Sequence, residues 1–152
     1  MIDDIDRIMA VMAAAFDPEF GEAWNRRQVE DALAFGSCHY HLATTFPAGQ
    51  NDDRAVTGFY MSRTGFEEEE LLLLAVYPDF RRRGIGLYLL EELRTAAAAR
   101  GAKRLLLEMR KNNPAESLYR NFGFYPIGER REYYRTKLGT RIDAITFACD
   151  IG

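Results

Sequence analysis

The hydrophobic and polar positions along this chain divide it into four helical and six strand-like stretches. Ile5, Ile8, Met9, Met12 and Phe16 share one face of a predicted helix that Asp3 or Asp4 can cap and that Pro18 and Gly21 end. A second helix is predicted from about Asn25 to Phe35, stopped by Gly36. Three β-type stretches follow, Cys38 to Thr45, Ala55 to Arg63 and Glu70 to Val76, with a Pro-, Gly- and Asp-rich loop at Phe46 to Arg54. The third is apolar enough for both faces to be buried, as in a central strand. After Pro78, Ile85, Leu89, Leu93 and Ala96 make a helical stripe with Glu91, Glu92 and Arg94 off it, and Gly101 suits the position just past its end. Lys103 to Arg110 reads as a strand. Asn113 and Pro114 read as the cap and first residue of a helix that places Ala115, Leu118, Tyr119 and Phe122 on its apolar face, up to Gly123. Strands at Tyr125 to Thr136 and Arg141 to Cys149, joined by a turn at Lys137 to Thr140, complete the pattern. This order predicts an α/β (α+β) fold with helices packed on a mixed, mostly antiparallel sheet.

Composition narrows the class. A chain of 152 residues is expected to form a single domain over residues 1–152 and to bury enough apolar surface without a disulfide or metal staple. Cys38 and Cys149 are too few for a disulfide framework and fit a reducing compartment. The acidic start MIDDIDRIM lacks the layout of a signal peptide, and the aliphatic run Leu71 to Val76 is too short to span a bilayer. The expectation is a cytoplasmic protein, monomer or homodimer, with no membrane partner. The net charge of −3 argues against a nucleic-acid partner, which needs a basic footprint. No metal is expected either: in Cys38-His39-Tyr40-His41 successive side chains leave opposite faces of a strand and do not converge.

One segment carries recognisable chemistry. Arg81-Arg82-Arg83-Gly84-Ile85-Gly86 joins the most apolar strand to the strongest helix. Glycines allow close backbone approach, and the first turn of a helix offers free N–H groups at its positive end. Arginines add charge, so the segment is suited to a pyrophosphate. The spacing is neither that of a dinucleotide fingerprint nor that of a P-loop. A solvated surface turn is the bland alternative.

The stretch LLLLAVYPDFRRRGIGLYLLEEL resembles motif A of the GNAT acetyltransferases, with its signature Q/R-x-x-G-x-G/A. The resemblance implies a GNAT fold, a sheet flanked by helices on both faces, and acetyl-CoA as cosubstrate. It implies that Leu74, Ala75 and Val76 form the bulged strand end that bonds the pantetheine arm, and that Arg81, Arg82, Arg83, Gly84, Ile85, Gly86 and Leu87 receive the pyrophosphate. A second block, LLLEMRKNNPAESLYRNFGF, is similar to the RimI-type ribosomal-protein-alanine N-acetyltransferases, as are Phe20 to Trp24, Gly128 to Tyr134 and Asp143-Ala144. Within that pattern Glu108 falls at the general base, Tyr119 at the general acid, and Asn112 or Asn113 at the CoA-contacting asparagine; Asn113 is favoured because Asn-Pro-Ala reads as a helix start. The spacing from Arg110 to Tyr119 is one residue shorter than in the RimI pattern, and the chain begins almost at its first helix, so the family's first strand is expected to be shortened or missing.

These residue types fit the reaction. A carboxylate can take the proton of an attacking amine, and a tyrosine can protonate a departing thiolate. Bland readings stand beside them: Glu108 on a solvated strand face, Tyr119 in the core. An α-amine has a pKa near 7.7–8.0 and a lysine near 10.4, so at pH 7 roughly a tenth of α-amines are neutral against well under a thousandth of lysines. One modest base therefore suits an N-terminal amine. The expected acceptor is the N-terminal alanine of the eighteenth small-subunit ribosomal protein. Rival acceptors are a small-molecule amine or a lysine side chain, and a non-catalytic CoA-binding module is a third possibility. Trp24 and Tyr134 are candidate acceptor contacts. Glu70, in the acidic run Glu67 to Glu70, belongs either to a solvated strand start or to a surface that draws in a basic acceptor.

Overall fold

The computed structural model describes residues 3–44 and 55–152, so the expected loop Phe46 to Arg54 lies outside the described residues. Helix α1 spans Asp4–Ala15 and α2 spans Arg26–Ala34. Each opens on a reciprocal capping box, Asp3 with Asp6 and Asn25 with Gln28, which satisfies two otherwise orphaned N–H groups. Strands β1 (Cys38–Thr44), β2 (Val56–Thr64) and β3 (Glu68–Val76) lead into α3 (Ile85–Ala99). Then come β4 (Arg104–Arg110), α4 (Glu116–Phe122), β5 (Tyr125–Arg135) and β6 (Arg141–Asp150).

Two boundaries differ from expectation for physical reasons. β3 starts two residues early, at Glu68, because its charged residues find cationic partners instead of water. The first regular turn of α4 starts at Glu116, although the Asn113 side chain does cap, accepting from Ala115 N–H at 2.9 Å.

The six strands lie in the order β1-β2-β3-β4-β6-β5, with only β3 and β4 parallel. Each face of the sheet carries a core. Leu89, Leu90 and Leu93 of α3 and Tyr119 and Phe122 of α4 pack with Leu105, Leu107 and Phe147 on one side. Ile8, Val11 and Met12 of α1 and Val29 of α2 pack with Phe59, Met61, Leu73 and Ala75 on the other.

The register between β2 and β3 slips where Met61 pairs with Leu73 but Ser62 pairs with Leu71, leaving Leu72 as the extra residue of a bulge. Bulges bend the strand that carries them. The β3–β4 ladder runs from Glu68↔Arg104 to Leu71↔Leu107 and stops at this bulge. Beyond it β3 stays paired only to β2, and β4 only to β6. A wedge therefore opens between Leu72–Val76 and Glu108–Arg110.

Gly58 sets the far wall of that bend. A Cβ there would lie 2.6 Å from the Ala75 carbonyl oxygen, a backbone atom that cannot rotate away. Gly58→Ala is expected to destabilise the fold by about 1–3 kcal/mol and to weaken acetyl-CoA binding, since Gly58 pairs with Val76 at the strand end. Urea unfolding and calorimetric titration check both; unchanged stability contradicts the close-approach reading.

Candidate active site

The wedge has two sides. On β4, Leu105, Leu107 and Met109 enter the α3/α4 core, so by alternation Leu106, Glu108 and Arg110 face the α1/α2 side. The phosphate-loop candidates and Tyr119 belong to the first side, and Glu108, Tyr134 and the α1–α2 connection to the second.

On the first side, β3 ends at Val76, a short 3₁₀ turn covers Pro78–Phe80, and α3 begins after Gly84. Arg82 and Gly84 are left-handed, at φ 64° and 80°. Gly84 meets no atom where a Cβ would stand, so the positive φ rather than crowding selects glycine there. It supplies no side-chain cap, which leaves the first-turn N–H groups of Ile85, Gly86 and Leu87 open to an anion.

Gly86 serves packing as well. A Cβ there would lie 2.8 Å from a Leu118 methyl carbon, so the glycine lets α4 approach α3. The three arginines differ. Arg81 donates to the Val76 carbonyl at 3.3 Å and to the Ala15 carbonyl at 2.8 Å, which ties the loop to the ends of β3 and α1. Arg83 stacks over Phe80 at 5.4 Å. Arg82 and Arg83 are exposed and can meet phosphate charge. Leu74 and Val76 pack partly against the α3/α4 core, while Ala75 turns to the α1/α2 core.

Tyr119 closes this side from α4. It is buried, edge-on to Phe124 at 5.7 Å, and its hydroxyl has no hydrogen-bond partner among the described residues. Burial, helped by the charge of Glu22, pushes its phenol well above the ordinary tyrosine value. Of the two asparagines, Asn112 is exposed with a left-handed backbone at φ 68°. Asn113 is committed within the protein: its carbonyl caps α4, and its amide donates to Glu22 at 3.3 Å.

On the second side, the half-buried Glu108 accepts from Thr146, its partner on β6, at 3.4 Å and lies 3.3 Å from Arg130 of β5. The solvated reading of Glu108 therefore does not describe its surroundings. Tyr134 stands nearby. Burial, then the charges of Glu108 and Glu22, raise its phenol to about 12. The backbone around it is bulged, and Glu132 is left-handed at φ 53°. Asp143 holds that bulge by accepting from Glu132 N–H at 2.8 Å, a bond that also keeps the Asp143 carboxyl below its usual range. Trp24 lies half-buried against the α1/α2 core.

Glu70 shares the Glu108 face, in register with Leu106 and two positions before Glu108. Its carboxylate is held by Arg63 at 2.6 Å. Its neighbours are also paired, Glu67 with Lys103 at 3.5 Å, Glu68 with Arg104 at 2.5 Å and Glu69 with Arg100 at 2.5 Å. The acidic run is thus largely neutralised from within, which removes the observation that favoured a basic acceptor drawn to it.

Glu22, Arg110, Arg130 and Thr146 were not assigned roles from the sequence; only the position of Glu22, Arg110 and Arg130 inside family-like segments hinted at the first three. Among the described residues no group of three or more His, Cys, Asp or Glu side chains is placed to hold a metal, and no helix is long and apolar enough to cross a membrane.

Comparison with known proteins shows the family and the fold. Residues 9–124 match the acetyltransferase (GNAT) family. A [ribosomal protein bS18]-alanine N-acetyltransferase of Salmonella typhimurium is 42% identical over 101 residues, 66% of this chain and 67% of that one. The crystal structure of the ribosomal-protein-S18-alanine N-acetyltransferase from Escherichia coli superposes with a TM-score of 0.82 at 28% identity, covering 98% of this chain and 88% of that one. An aminoglycoside 6′-N-acetyltransferase complexed with coenzyme A shares the fold, with a TM-score of 0.75 at 16% identity, covering 97% of this chain and 91% of that one. The match across most of the chain, on a sheet that splits beside a glycine-started helix, means that the chain belongs to the GNAT acetyltransferase family and is an acetyl-CoA-dependent N-acetyltransferase.

Proposed function

We propose that this enzyme acetylates the N-terminal alanine of ribosomal protein bS18, with Glu108 as general base and Tyr119 as general acid on opposite sides of the wedge. The observation that carries the reading is the wedge itself. It gives a thioester and an amine separate approaches to the same gap, with a carboxylate on the amine side and a protonated phenol on the other. The names of the relatives at up to 42% identity support the acceptor.

Acetyl-CoA supplies an activated acetyl group. The first-turn N–H groups of α3, with Arg82 and Arg83, hold its pyrophosphate, and Arg81 keeps the loop in place. Backbone groups of Leu74 to Val76, unpaired with β4 beyond the bulge except that Arg81 engages the Val76 carbonyl, are placed to bond the pantetheine amides and the acetyl carbonyl. Trp24 and Tyr134 line the acceptor side. Glu108 takes a proton from the amine nitrogen as the new C–N bond forms, directly or through a water. Tyr119, kept protonated by its burial, gives its hydroxyl proton to the sulfur as the C–S bond breaks. Asn112, exposed beside α4, and Asn113 remain the two candidate contacts to CoA, and the commitments of Asn113 leave it one amide hydrogen for that purpose. Transfer is direct, and proximity with carbonyl polarisation supplies most of the rate.

The test is acetyl-CoA with two peptide sets, one starting with a free alanine and lacking lysine, the other blocked at its N-terminus and carrying internal lysines. Mass spectrometry is expected to find the acetyl group on the α-amine of the first set. Modification of lysine side chains alone, or of small amines in preference to both peptides, overturns the acceptor assignment.

A further inference from the structure

Between the 3₁₀ turn Pro18–Phe20 and α2 the chain runs through Gly21, Glu22, Ala23 and Trp24 with no helix or strand to hold it. Gly21 turns it with φ 61°, and its position otherwise depends on side chains. Glu22 reaches across to two other elements. Its Oε1 accepts from Arg110 Nε at 3.3 Å and its Oε2 accepts from Asn113 Nδ2 at 3.3 Å. The Arg110 guanidinium lies 3.6 Å from the ring centre of Phe20, so the same arginine grips the segment twice.

The pair is no ordinary surface ion pair, since the side chains of Arg110 and Glu22 are only 11% and 17% exposed. Charges that far out of water are held in place because losing a partner leaves the other uncompensated. Asn113 can serve only in the observed orientation, because its carbonyl is needed by Ala115 N–H and its amide by Glu22.

We propose that Glu22 is a positioning residue: it clamps the Phe20–Trp24 segment onto the open end of β4 and so shapes the acceptor side of the wedge. Both its oxygens are engaged by donors, which distinguishes it from Glu108 as a proton acceptor. The inference rests on the two-sided reading of the wedge given above. It predicts a separation between substrates. Loss of the clamp frees the wall that carries Trp24, whereas Asn113 keeps its bond to Ala115 and the α3 loop keeps Arg81.

Steady-state kinetics, varying acceptor and acetyl-CoA separately, test this. Glu22→Ala is expected to raise the acceptor KM on the order of tenfold, while the acetyl-CoA KM stays within about twofold. Glu22→Gln keeps an acceptor oxygen for one of the two donors and is expected to recover most of the loss. An unchanged acceptor KM in Glu22→Ala overturns the proposal. So does a fall in kcat with a displaced acid limb of the pH profile, which would make Glu22 a proton carrier. If the alanine variant melts below the assay temperature, Arg110→Lys decides, with a severalfold higher acceptor KM expected and an unaltered one contradicting the clamp. A wild-type enzyme that prefers another amine overturns only the proposed acceptor, and the Glu22 comparison is then made with that amine.

Discussion

Glu108→Gln is expected to lower kcat by on the order of 100-fold while leaving coenzyme A affinity nearly unchanged. Glutamine keeps the size of the side chain and an oxygen to accept from Thr146, so the wedge keeps its shape. What disappears is the capacity to hold a proton. Arg130, 3.3 Å away in the free enzyme, loses its ion-pair partner, but at 60% exposure it returns to water at little cost. Turnover and calorimetric titration with coenzyme A check both halves. Full activity in Glu108→Gln would remove the general-base role, and lost CoA binding would mean that the residue supports the donor side instead. Tyr119→Phe is expected to act likewise, by roughly 10- to 100-fold, since the ring stays packed against Phe124 and only the hydroxyl goes. Because burial raises the Tyr119 phenol, the acid form persists through neutral and moderately alkaline pH. No alkaline loss of turnover from this group is expected below about pH 10.

The largest expected effect on stability comes from Glu69→Ala. The Glu69 carboxylate is fully buried and receives the Arg100 guanidinium at 2.8 and 2.5 Å and the Ser62 hydroxyl at 2.6 Å. It ties the C-terminal end of α3 to the start of β3 and so braces the strand–loop–helix unit whose other end is the phosphate loop. Removing one partner of such a pair strands the other charge, at a cost of about 3–5 kcal/mol. For a domain of this size that lowers Tm by on the order of 10 °C. The exposed pair Arg63–Glu70, one residue on, is worth at most about 1 kcal/mol, so Glu70→Ala provides the control.

Burial alone would raise the Glu69 pKa, but the bonds from Arg100 and Ser62 outweigh it and hold the carboxyl below its ordinary 4.5. A folded-state value below the unfolded one means that the stabilisation is complete above about pH 4.5 and is lost as pH falls through the lower, folded value. Wild-type stability is therefore expected to decline below that pH more steeply than that of Glu69→Ala. Equal acid sensitivity of the two, or a cost under about 1 kcal/mol, contradicts the bracing role.

Much of the secondary structure could be read along the chain because its signals are local. The Ile5-to-Phe16 stripe, the aspartate cap before it and the Gly84-Ile85-Gly86 helix start each depend on residues within a turn or two of one another. The same holds for the turn before α3, where a positive φ needs glycine and a helix start presents free N–H groups. Within the acidic run only Glu69 departs from the expectation that charge signals solvent. Glu69 is buried only because Arg100, 31 residues on, folds back over it.

What the amino-acid order determined by itself is the set of helices and strands, the glycine-marked turn before α3, and the residue types able to move protons. The tertiary structure decided where those groups meet. The wedge exists because the β2–β3 register slips at Leu72 and lets β3 part from β4, and nothing local to either strand encodes that slip. Glu22 meets Arg110 across 88 residues, and Arg81 is committed to the carbonyl of Ala15 across 66. Such contacts follow from which faces are buried together, a property of the whole packed sheet that no short window of sequence contains.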